Sequence, residues 1–293
     1  MRHGLYLLHK PAGPTSAEVM RAAAGEAQER GLPICHGGAL DPFADGLLLL
    51  LAGRATRLFE LFHPVPKVYE ATIAWGTETD SGDPGGAVVA SGDPAALTAA
   101  LLDEALASFL GLCEQLPPAT SNKRIHGERA YVLAHRGEEV ELPPSEVYLH
   151  EAHFVEHDLP RSSRVALVCR GGFFVRALAR DLGRRVGVPA HLASLHRSAI
   201  GPWHDPGPGG RVGVHGVQLL PWLPSRELLD QEARALRHGP IPVGTLLSPR
   251  WPLPDGFPGA TDLVLGHRGG SLAAVLRKDS AGLTRLIDLG AGL

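Results

Sequence analysis

Residues 47–52, Leu-Leu-Leu-Leu-Leu-Ala, form the longest unbroken apolar run in the chain. A segment with no polar face has to be buried, so this run fixes one point of the core. What precedes it has a different character. "HGGALDPFADG" (36–46) places a His, two Gly and an Asp-Pro step at the mouth of the buried segment. Glycines let a backbone approach another molecule closely, and the leucines anchor the loop that carries Asp41. Taken alone, Leu-Asp-Pro is a turn before a strand or helix.

The remaining composition narrows the classes open to the chain. With 293 residues and 44% hydrophobic content it can bury a sizeable core, and its length suggests a large and a small domain. The leucine run is too short to span a bilayer, and "MRHGLYLLHKP" has too few apolar residues for a signal peptide. Cys35, Cys113 and Cys169 form no C-x-x-C pair, and the 15 His show no clustered ligand pattern. A soluble, reducing, cytoplasmic setting without metal is expected. Net charge is −3, which argues against a polyanion partner, yet residues 161–200 hold eight Arg and one acid, Asp181. That local excess either faces nucleic acid or forms a solvated helix face.

Patterning predicts the elements. "GLYLL" (4–8) reads as a strand, and Thr15 with Glu18 as a capping box opening a helix over 16–30. Residues 68–76 alternate with period two, as a half-buried strand does. Asp93-Pro94 predicts the start of a helix closing at Gly111. "RVALVC" (164–169) is a strand, and apolar residues at 174, 178, 182 and 186 share one helix face. Beyond a loop-like stretch over 201–216, residues 225–238 read as an amphipathic helix ended by Gly239. Strands near 262–267, 272–277 and 283–289 complete a small β module. The boundary falls near 218, giving domains 1–217 and 218–293.

Five stretches, in order, carry a resemblance: "LLHKPAGPTS", "HGGALDPFADGLLLLLAGRATRL", "KVYEATIAWGTETDSGD", "QLPPATSNKRIHGERAY" and "CRGGFFVRALARDLG". Together they resemble the TruB family of bacterial tRNA pseudouridine-55 synthases over residues 4–204. The resemblance implies an α+β fold, with a mixed, mainly antiparallel curved sheet flanked by helices and a small C-terminal PUA-like RNA-binding domain. It implies a cofactor-free isomerisation of uridine to pseudouridine in the T loop of tRNA, by a monomer with no obligatory protein partner and no membrane association. Asp41 takes the place of the essential carboxylate, Arg176 of the arginine paired with it, and Tyr69 of the tyrosine stacked on the target base. Leu195 matches a leucine lining the uracil pocket, His36 a histidine inserted into the T loop, and Lys10 a supporting lysine near the cleft.

The chain departs from the family pattern at several positions. Gly37 replaces the usual Thr, residues 170–174 replace S-K-G-T-Y, Phe174 lacks the hydroxyl of the usual Tyr, and His135 replaces a common Arg. Two routes stay open for Asp41, nucleophilic attack on C1′ or assistance to loss of a neighbouring proton. A catalytically idle RNA-binding or RNA-folding protein on the same scaffold is the alternative. It would need no buried carboxylate.

Overall fold

The computed structural model describes residues 2–118, 124, 125, 128, 129, 136, 142–290, 292 and 293. His135 lies outside these. The chain divides into two compact units, one of Met1–Pro42, Gly46–Pro66 and Ala199–Leu293, the other of Phe43–Asp45 and Lys67–Ser198.

In the first unit the leucine run becomes the strand Asp45–Ala52, paired antiparallel with Gly4–Lys10 so that Leu5 faces Leu51 and Leu7 faces Leu49. Gly4–Lys10 pairs on its other edge with Arg211–Val214. Successive side chains of a strand point to opposite faces, and here both faces are covered. Leu47, Leu49 and Leu51 join Leu5, Phe62, Trp222 and Leu265 in one core. Leu48 and Leu50 join Tyr6, Leu8 and the alanines Ala24 and Ala27 in another. All five leucines are fully buried, which is why the run carries no polar residue.

The helix expected over 16–30 is two pieces, Ser16–Ala23 and Gly25–Glu29. The capping box is present, with Thr15 Oγ1 accepting from Glu18 N at 3.2 Å and Thr15 N donating to Glu18 Oε2 at 2.8 Å. The break falls at Ala24, which caps the first piece through its N–H to Met20 O and Arg21 O, and Gly25 opens the second, where glycine costs less than in the interior of one long helix.

The C-terminal residues form a four-stranded sheet in the order Ser225–Glu227, Leu263–Arg268, Ser271–Asp279, Gly282–Asp288. The last three strands stand where patterning put them. The helix expected over 225–238 does not form as such: its first residues are a strand parallel to Leu263–Arg268, and only Asp230–Ala235 is helical. Arg226 explains the difference, since its buried guanidinium donates to Pro242 O (2.7 Å), Val243 O (2.9 Å) and Glu232 Oε1 (2.6 Å). Such tertiary bonds override a weak local propensity. This sheet shares its core with the amino-terminal strands, as Leu219, Trp222, Leu265, Leu272 and Val275 belong to the cluster of Leu5 and Leu47. Trp222 meets Phe62 and Trp203 edge-on at 5.7 and 5.6 Å.

In the second unit Lys67–Trp75 lies between Ala190–Ile200 and Ser162–Cys169, followed by Ser145–Asp158 and Gly111–Gln115. Lys67, Tyr69, Ala71, Ile73 and Trp75 are buried in alternation, as period two requires. The helix Val175–Val186 matches the apolar spacing and ends at Gly187, whose left-handed backbone closes it. The helix expected from Asp93 begins later, at Ala99, with Thr98 Oγ1 accepting from Leu101 N, and stops at Ala107. Asp93 instead accepts from Ala95 N in a turn, and Gly111 opens a strand. Both units therefore carry mainly antiparallel strands with helices packed on them, the mixed architecture expected from the sequence.

Candidate active site

Asp41 lies half-buried in the loop between the strands Ile34–His36 and Asp45–Ala52. Its two neighbours are pinned. The buried hydroxyl of Ser16 donates to Leu40 O at 3.0 Å and accepts from Leu40 N at 2.8 Å. On the other side, Pro42 O accepts from Gly13 N at 2.8 Å and from Lys10 Nζ at 3.2 Å. Lys10 is fully buried and also donates to Pro11 O at 3.0 Å, so its ammonium ties the K-P loop to the residue after Asp41. The backbone that carries the carboxylate is thereby fixed on both sides, which favours a group that must meet a reacting atom.

His36 ends its strand opposite Leu50. Next to it, Gly37 N donates to Leu49 O at 2.8 Å, and a Cβ at Gly37 would stand 3.0 Å from Leu49 Cβ. A side chain at this position, where the resemblance expects threonine, would need Leu49 to give by a few tenths of an ångström.

In the second unit, Tyr69 is buried opposite Leu167, with the Arg197 guanidinium carbon 6.0 Å from its ring centroid, at the outer reach of a cation–π contact. Lys67, opposite Cys169, is pushed down to about 7 by burial, helped by the nearby positive charges of Arg197 and Arg170 and opposed by Cys169. Burial pushes the Cys169 thiol up to about 12. Below about 7 the folded chain carries a buried ammonium, and between there and the ordinary lysine value of 10.5 the unfolded chain binds more protons. Stability of the wild type relative to Lys67→Met should therefore rise with pH across that window. Urea unfolding of both proteins at about pH 7 and about pH 9.5 measures it; a difference independent of pH contradicts it.

Arg176 is the second residue of its helix and is buried. Its Nη1 donates to Ser81 O at 2.8 Å and stands 3.5 Å from Asp83 Oδ2. The turn that brings these oxygens in is closed by Asp83 itself: Oδ1 accepts from Ser81 Oγ and Gly85 N, both at 2.9 Å, and its carbonyl accepts from Thr79 Oγ1 at 2.8 Å. Gly82 sits between with φ +71°, where a Cβ would lie 3.3 Å from Arg176 Cβ. Glycine meets both demands of this turn. Leu195 is buried on Ala190–Ile200, and the next residue, His196, meets Asp45 with Nδ1 2.8 Å from Oδ1.

The arginine-rich segment is less of a bare cationic face than its charge count suggests. Arg161 pairs with Asp158, Arg164 with Glu156, Arg180 with Asp181 and Arg184 with Glu78, at 2.7–3.0 Å. A cavity of about 400 Å³ opens beside the helix, lined by Arg176, Arg180, Arg184, Glu78, Asp80 and Leu116 among others. Two residues of the site went unread in the sequence, Ser16 and Asp83. Both sit inside the motifs quoted above, and each meets a partner distant in sequence, Leu40 for Ser16 and Arg176 for Asp83, that no local pattern reveals. Among the described residues, no three His, Cys, Asp or Glu are grouped to hold a metal ion, and no helix is long and apolar enough to cross a membrane.

Residues 30–175 match the model of the TruB family pseudouridylate synthase, N-terminal domain. A tRNA pseudouridine synthase B from Rhodopseudomonas palustris is 40% identical over 205 residues, 69% of this chain and 55% of that protein. One from Bordetella pertussis is 36% identical over 247 residues, 83% of this chain and 95% of its own length. The match thus spans little more than half of the first relative and nearly all of the second. A chain in the crystal structure of a Cbf5–Nop10–Gar1 complex superposes with a TM-score of 0.65 at 20% identity, covering 97% of this chain and 84% of that one, which is a likeness of fold. The chain belongs to the TruB family.

Proposed function

We propose that the protein isomerises uridine to pseudouridine at position 55, in the T loop of tRNA, without a cofactor, and that Asp41 is its essential carboxylate. The observation that carries this reading is Asp41 held between two pinned peptides, Leu40 by Ser16 and Pro42 by Gly13 and Lys10. RNA binding alone needs no carboxylate so fixed, which separates this reading from an idle RNA-binding protein.

The reaction breaks N1–C1′, turns the uracil and joins C5 to C1′; the proton leaves C5 and N1 ends protonated, so nothing is oxidised or reduced. An ionised carboxylate serves either by attack on C1′ or by assisting proton loss and stabilising a cation-like sugar. The role assigned to Arg176 is a fixed positive charge that keeps Asp41 ionised, because a guanidinium does not titrate. Tyr69 would stack on the flipped base, Leu195 line the uracil pocket, His36 fill the gap left in the T loop, and Lys10 support the Asp41 loop. Residues 1–217 would carry the chemistry and 218–293 add RNA affinity as a PUA-like domain. The protein would act as a cytoplasmic monomer.

The deciding experiment is tritium release from a T-loop RNA bearing [5-³H]uridine, with purified protein. Release with matching pseudouridine in a nucleoside digest is expected; tight binding without release favours the idle protein. Arg176→Lys keeps the charge and loses the planar fork, so the single-turnover rate should fall by about two orders of magnitude while affinity holds. A rate like that of the wild type refutes the electrostatic role. Arg184→Ala should weaken binding modestly, reduce its salt dependence and spare the rate at saturation. Its pair with Glu78, exposed on the arginine side, should be worth about 1 kcal/mol of stability. An unchanged salt slope would assign Arg184 to that pair alone.

A further inference from the structure

We propose that Gln115 is a positioning residue for Arg176, and this rests on the role given to Arg176 above. Gln115 ends the strand Gly111–Gln115 and is 2% exposed. Its carboxamide addresses a single residue twice: Phe174 N donates to Oε1 at 2.9 Å, and Nε2 donates to Phe174 O at 3.1 Å. Phe174 is the residue from which the arginine-bearing helix starts, and it has no side-chain cap of its own. Its carbonyl also accepts from Leu178 N at 3.1 Å, the first hydrogen bond of the helix. One turn further on, Arg180 Nη2 donates to Leu116 O at 2.9 Å, so the end of the strand is tied to two successive turns.

The consequence falls on Arg176, two residues after Phe174. Its Cα–Cβ direction is set by how the helix begins, and its guanidinium must reach from there to Ser81 O and Asp83. A displacement of about 1 Å at a catalytic group costs on the order of a hundredfold in rate. Glutamine suits the task because it presents one donor and one acceptor, at equal reach, without charge. Leucine would supply neither bond. An ionised glutamate would turn a second acceptor on Phe174 O, whereas a protonated glutamate has one donor and one acceptor and restores both bonds.

The test uses the full chain, with single-turnover rate and dissociation constant on T-loop RNA, thermal melting, and the ¹⁵N NMR signal of the Arg176 guanidinium, assigned by its loss in Arg176→Lys. Gln115→Leu should lower the rate by about thirtyfold or more, keep the dissociation constant within about threefold, and shift or broaden the Arg176 signal. Gln115→Glu should approach the wild-type rate as pH falls from about 8 to about 6, when compared with wild type at each pH, as its buried carboxyl takes up a proton. A purely structural role would lower melting temperature, rate and affinity together in both variants, with no recovery of rate at low pH. A folded Gln115→Leu protein with a near-wild-type rate and an unmoved Arg176 signal overturns the proposal. Should Gln115→Leu fail to fold, the pH profile of Gln115→Glu decides. If the wild type converts no uridine, the proposed activity fails, and the Arg176 signal alone decides the positioning.

Discussion

Asp41→Asn should abolish pseudouridine formation and leave tRNA affinity nearly intact. Asparagine keeps the shape of the side chain, and the bonds that fix Leu40 and Pro42 involve backbone, Ser16, Gly13 and Lys10 rather than the carboxylate. The loop should therefore stay in place. A carboxamide can neither attack C1′ nor take a proton at neutral pH, so the loss should reach at least about 10⁴-fold, the scale seen when an essential group is removed. Affinity for RNA is set mainly by phosphate contacts and should change by less than about threefold. Tritium release over hours at saturating enzyme, with filter binding on the same RNA, tests both halves. Turnover by the folded variant would remove Asp41 from its role.

Removing residues 218–293 should prevent the remainder from folding, a larger effect than a lost binding module would produce. The β module can be read from the sequence as a separate tail, but its apolar residues lie in the same core as the amino-terminal strands. Cutting it away takes Leu219, Leu220, Trp222, Leu223, Leu263, Leu265, Leu272, Val275 and Leu289 out of the core that holds Leu5, Leu47, Leu49, Leu51 and Phe62, and withdraws Trp222 from Phe62. At roughly 1.5–3 kcal/mol for each large apolar side chain whose burial is lost, losing these nine exceeds about 10 kcal/mol, comparable with the whole stability of a domain. Arg54 and Arg57 also lose acceptors, Leu289 O at 2.6 Å and Asp288 O at 2.7 Å. Calorimetry of residues 1–217 should show no cooperative transition. A cooperative melt with retained uridine conversion would make the tail a free-standing domain.

Much of this was legible where burial imposes a period. The alternation read over 68–76 appears as the strand Lys67–Trp75, and the four-residue spacing over 174–186 and the three closing strands appear close to where patterning puts them, because a half-buried strand and an amphipathic helix leave their signature in the order of residues. Legibility failed where one long-range bond outweighed local preference. Arg226 draws 225–227 into a strand through acceptors at 242 and 243. Asp83 carries no local signal, and only the fold shows its second oxygen facing Arg176. Ser16 looks like the first residue of a helix, which it is, while its hydroxyl holds a peptide 24 residues away. The shared core could not be seen either, since hydrophobicity records that a residue is buried and not what buries it.

A strand of five identical leucines has no internal address. Sliding Asp45–Ala52 by two residues along Gly4–Lys10 would still set a leucine opposite four of its seven residues, against five in the observed register, and would keep every leucine on the face it now occupies. The alignment must therefore be written at the ends. Gly46 has φ +104°, and Gly53 has φ +61° with so little room that a Cβ would overlap the His3 ring. Gly37, packed on Leu49, marks one leucine among five. These glycines act as the stops of a ruler whose divisions are all alike, and a two-residue slip would carry the base of the Asp41 loop about 7 Å along the strand. The placement of the carboxylate is in this sense measured off by residues that carry no side chain at all.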